Sequence, residues 1–75
     1  MTIKYYKILD GSTPVKVFRT IENEVMAKGE RYDRDRAEWV NDPDVYSELL
    51  GFGDIYEDSN EKEVESIITD WSKNK

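Results

Sequence analysis

The sequence predicts an α+β fold: a small antiparallel β-sheet of three to four strands in a meander, packed by a C-terminal amphipathic helix, with a short helix at about 43–50. Three observations carry this. IKYYKIL and PVKVFRT, both rich in β-branched and aromatic residues, flank an Asp-Gly turn signal. Val64, Ile67, Ile68 and Trp71 recur at i, i+3, i+4 and i+7, the apolar stripe of a helix. A lone hairpin is not stable in water and the stripe needs an apolar partner, so the two must pack on each other. The 75 residues are read as a single domain, 1–75.

Strands are expected at 3–9 and 14–20. Asp10-Gly11 supplies the positive φ angles of the turn, and Pro14 opens the second strand where its missing N–H costs the ladder least. In the second strand Val15 and Val17 share one face, Lys16 and Phe18 the other.

Residues 21–40 admit two readings. Ile21, Val25, Tyr32 and Trp39 fall at helical spacings, and Glu30-Arg34, Arg31-Asp35 and Arg34-Glu38 would be i,i+4 ion pairs. Against a helix stand Gly29, unfavourable by about 1 kcal/mol relative to Ala, and the broken apolar stripe between Tyr32 and Trp39. The hairpin reading is preferred, with strands at about 24–32 and 37–41 and Asp33 to Arg36 as a solvated charged tip. Asp42 then caps a helix with Pro43 at its first position and Gly51 as its stop. Residues 52–58 read as extended or looped. Asn60 and Glu63 form a capping-box pattern opening the last helix, expected over 60–73.

The succession YYKILDGSTPVKVFR, ERYDRDRAEWVNDP and EVESIITDW resembles a loose class of short, acidic bacterial and phage-encoded proteins without an assigned activity. The resemblance implies architecture alone: a strand pair, a charged turn before a Trp-Val strand, and a closing acidic helix. Its implied hairpin places Gly or Pro where this chain has Arg34 to Ala37.

Charge is the most informative property of the chain. The formal net charge is -6, unevenly spread: residues 42–70 hold ten acids against Lys62 alone, whereas residues 1–19 hold four basic residues against Asp10. Without histidine or cysteine the usual proton-transfer groups and nucleophiles are missing, and a small domain seldom offers a cleft to perturb a carboxylate, so no enzymatic activity, cofactor or metal site is expected. The acids at 42–44 and 57–61 do not match the EF-hand spacing. Direct nucleic-acid binding is disfavoured by the negative charge. Lys4, Lys7, Lys16 and Arg19 read as edge and solvated-face residues. MTIKYYKILDGST lacks the apolar core of a signal peptide, so a soluble, cytoplasmic protein is expected.

The remaining expectation is recognition of a protein partner, itself basic, by an acidic face drawn from Asp42, Asp44, Glu48, Asp54, Glu57, Asp58, Glu61 and Glu65, with Tyr56 as an exposed aromatic anchor. The functional expectation is a small inhibitor masking a basic surface of a nucleic-acid-handling protein, of anti-defence, immunity or DNA-mimic type. The alternative is a structural or housekeeping module whose acidity serves solubility.

Overall fold

The computed structural model describes residues 1–47 and 56–73. Strands β1 (Thr2–Asp10), β2 (Thr13–Glu22), β3 (Ala27–Asp33), β4 (Glu38–Asn41) and β5 (Tyr56–Ser59) form one antiparallel sheet in the order β4-β3-β2-β1-β5, and helix α1 (Glu61–Lys73) follows. The expected meander is β1 to β4. The segment read as extended or looped adds the fifth strand, which pairs with β1 on the side away from β2.

The β1–β2 turn consists of Gly11 and Ser12, between the paired residues Asp10 and Thr13. Gly11 alone carries positive φ, at 66°, the pattern of a type II′ turn, whose twist matches the flanking strands. The hairpin reading of 27–41 is what the chain adopts, with Tyr32 opposite Trp39 and their rings edge to face at 5.6 Å. Its turn is built by Asp33, whose carboxylate accepts the backbone N–H of Asp35 at 2.9 Å and of Arg36 at 3.1 Å. Those hydrogen bonds, the one to Arg36 foremost, hold the Asp33 carboxyl below its usual pKa.

Consecutive strand residues point to opposite faces of a sheet. Val17 is 1% exposed and Phe18 2%, so β2 is covered on both sides, and not only on the helix side the sequence suggested. The helix face carries Tyr5, Lys7, Val17, Arg19, Glu30, Tyr32 and Trp39, as the registers require. Helix α1 crosses it from β5 toward the β3–β4 turn. Lys7 donates to Glu63 at 2.8 Å near the start of the helix, while Tyr32 packs on Trp71 with ring centroids 6.1 Å apart near its end. Val64 is buried and Ile67, Ile68 and Trp71 are half-buried, as is Trp39.

The opposite face is closed by the residues after β4. Asp42 caps as the sequence predicts, its carboxylate accepting the N–H of Asp44 at 3.0 Å and its carbonyl that of Val45 at 3.2 Å. Residues 45–47 are helical, and the remainder of the short helix expected to 50 lies outside the described residues. Val45 is fully buried against Gly29. A Cβ built on Gly29 would stand 2.5 Å from Val45 Cβ and 3.0 Å from the Asp42 carbonyl. Gly29 therefore serves close approach of backbone to strand. Tyr46 donates to Glu22 at 2.9 Å, and burial, with that carboxylate beside it, pushes its phenol pKa up.

Candidate interaction surface

The acids predicted to form one face divide into two groups. Glu57 and Asp58 lie on β5, Glu57 opposite Lys7 and Asp58 opposite Tyr6, so they project to opposite faces of the outer strand. Asn60 then ends the strand and caps α1, its side chain accepting the N–H of Glu63 at 2.8 Å. The strand-to-helix junction thus brings Glu57, Asp58, Glu61 and Glu65 to one edge of the molecule. All four are exposed, and Lys62 stands among them.

Asp42 and Asp44 come after β4, at the other end of the strand order. β4 and β5 are the two outer strands of the sheet, and the segment after β4 folds back over it, Val45 against Gly29 of β3 and Tyr46 onto Glu22 of β2. Asp42 is occupied by its turn and by Arg31, 3.7 Å away, whereas Asp44 is exposed. Glu48 and Asp54 lie outside the described residues. Among the described residues, Glu57, Asp58, Glu61 and Glu65 belong to β5 and the start of α1, while Asp42 and Asp44 follow β4.

Tyr56, expected as an exposed anchor, is half-buried. Its ring packs against Phe18 at 5.5 Å and Tyr6 at 6.2 Å between centroids, and its hydroxyl oxygen is buried. Tyr56 is the first residue of β5 and pairs with Ile8, which turns it onto the sheet. It is a packing residue that fixes the outer strand.

Glu63 occupies a position no sequence argument assigned to it. The capping box would turn its carboxylate back to the Asn60 N–H. Instead one oxygen accepts hydrogen bonds from Lys7 Nζ and Ser59 Oγ, and these, Lys7 first, hold its carboxyl pKa below the usual value. The acidic edge is thereby tied to β1. Two of the residues read as edge and solvated-face residues are instead engaged in packing pairs: Lys7 in this pair, and Arg19 with Glu30 at 2.6 Å, its guanidinium 4.3 Å from the centre of the Trp39 ring. Lys28 adds a second contact to Glu30 at 3.4 Å. Glu30 is 8% exposed, and the alternation of β3 (Lys28, Glu30, Tyr32 on one face) was the signal that could have found this cluster.

No described helix is long and apolar enough to cross a membrane. Compared with known protein families, with curated proteins and with solved structures, the chain matches none of them.

Proposed function

We propose that the protein is a small acidic interaction module, without catalytic activity of its own, that inhibits a nucleic-acid-handling protein by occupying its basic surface, as anti-defence, immunity and DNA-mimic proteins do. The observation that carries this reading is the grouping of Glu57, Asp58, Glu61 and Glu65, all exposed, at the strand-to-helix junction, where they outnumber the neighbouring Lys4, Lys7 and Lys62. A field of one sign at an edge steers an oppositely charged partner and disfavours nucleic acid competing for the same place. Attachment of that edge to β1 through Lys7–Glu63 makes it part of the packed sheet.

The second reading, a structural or housekeeping module whose acidity serves solubility, is favoured by the fate of Asp42 and Glu63, which are engaged in a cap and an ion pair. One experiment separates the two. The immobilised chain and its Glu57→Lys, Asp58→Lys, Glu61→Lys variant are each exposed to extract of the producing cell. A basic nucleic-acid-binding protein should be retained by the parent alone and released by salt, since the screening length falls from about 10 Å at 0.1 M to about 3 Å at 1 M. Equal retention by both chains would end the inhibitory reading.

A further inference from the structure

We infer that the outer edge of β1 at Thr2–Lys4 receives an extended basic segment of a partner protein as an added strand. This rests on the reading above and specifies how the partner is held.

The topology provides the opening. β5 pairs with β1 only from Tyr5 to Ile8, because Asn60 stops the strand and α1 leaves for the helix face. Thr2, Ile3 and Lys4 pair with Glu22, Ile21 and Thr20 of β2 on their inner side; on their outer side no described strand lies against them. All three are exposed. A strand edge of this kind carries backbone donors and acceptors that a second chain can satisfy.

Beside this edge lies a cavity lined by Ile3, Lys4, Tyr5 and Tyr6 of β1, by Asp58 and Ser59 at the end of β5, and by Asn60 and Glu61 just beyond it. Ile3 and Tyr5 point to the helix face, Lys4 and Tyr6 to the opposite one. A cavity lined from both faces of one strand opens at the sheet edge, where an incoming strand would lie in line with β5. The side chain placed opposite Ile3 would lie on the helix face next to Tyr5, whose own outer side is taken by Ser59, so an apolar residue suits that position. Asp58 and Glu61 outnumber Lys4 there, and Glu57 and Glu65 extend the same sign of charge along the edge, so the remaining positions select Lys or Arg.

The test uses the full-length, 15N-labelled chain and a soluble hexapeptide alternating Val and Lys, with a Val–Glu peptide of the same length as control. At low salt the Val–Lys peptide should shift the amides of Thr2, Ile3 and Lys4 and slow their exchange with solvent. The Val–Glu peptide should bind about tenfold more weakly or less, and Asp58→Asn with Glu61→Gln should weaken the Val–Lys peptide several-fold while the spectrum stays folded. Shifts confined to the side of the acids, with Thr2–Lys4 exchanging as before, would overturn strand addition and leave the acidic-edge reading standing. Shifts at Glu38–Asn41 would move the site to the outer edge of β4 and overturn it equally. No response to either peptide also overturns it, and the acidic-edge reading is then decided by the retention experiment alone.

Discussion

Gly29 is a residue at which the sheet and the segment after β4 meet closely. The 2.5 Å approach of a built Cβ to Val45 lies far inside van der Waals contact, and Val45 cannot retreat without pulling Asp42, whose N–H donates to the Gly29 carbonyl at 2.9 Å. Gly29→Ala should therefore destabilise by about 1–3 kcal/mol, the range for overpacking, read as a lowered midpoint in denaturant, although Ala is ordinarily the better strand residue. Sequence reasoning used this glycine only as an argument against a helix. Its partner lies 16 positions away in sequence, and no local pattern announces such an approach. Glu63 supports a second expectation. Its folded pKa is below the ordinary 4.5, so its contribution is fully present above that value and is lost as the pH falls through the lower folded value. In Glu63→Gln the acid-induced fall in stability below about pH 4.5 should be shallower, as measured by thermal melts across the pH range.

At the scale of elements, most of the architecture was legible. Asn60, Asp42 and the stripe from Val64 to Trp71 act as their spacing implied, because caps and helical periodicity are local. The β3–β4 hairpin was harder, since residues 34–37 contain neither Gly nor Pro. The reason is now visible: the left-handed position falls on Ala37, with φ 56°, and the turn is held by the Asp33 side chain. β5 was missed because a four-residue strand at a sheet edge needs no long alternating run, and its pairing is with the far end of the chain. The charged tip also divides where the sequence treated it as uniform. Arg34 lies over the Trp71 ring at 4.5 Å and links the turn to α1, whereas Arg36 reaches Asp33 and Glu38 only at 4.0 and 3.8 Å from an exposed position. Arg34→Ser should lower stability by about 0.5–1 kcal/mol, and Arg36→Ser should fall within about 0.5 kcal/mol of the parent. Equal melting temperatures for the two variants would show that the Arg34–Trp71 contact contributes nothing.

For the molecule as a whole, the charge asymmetry visible in the sequence is real in composition but is reshaped by folding. Topology separates the elements that carry these acids, Asp44 following β4 and the others lying on β5 and α1, with β4 and β5 at the two ends of the strand order, an arrangement that charge counting along the chain could not foresee. The two groups should therefore behave differently toward a basic partner. Charge reversal at Glu57, Asp58 and Glu61 should slow association several-fold at low salt and much less at high salt, while Asp44→Lys, on the segment after β4, should leave the rate nearly unchanged. Stopped-flow mixing with the retained partner measures both, and equal slowing would return Asp44 to the interface.

The position of β5 beside β1 also bears on how the chain reaches its native state. β1 to β4 close through short turns, so the meander can form as it is synthesised. The contacts that complete it, such as Lys7–Glu63, join residues 56 apart and form only after most of the chain is available. Until then the outer backbone of β1 stands open along all of Thr2–Asp10. A nascent or truncated chain lacking β5 would offer that full edge to its neighbours, with Tyr5, Tyr6, Ile8 and Leu9 along it, and would be more prone to aggregate than the chain that carries β5.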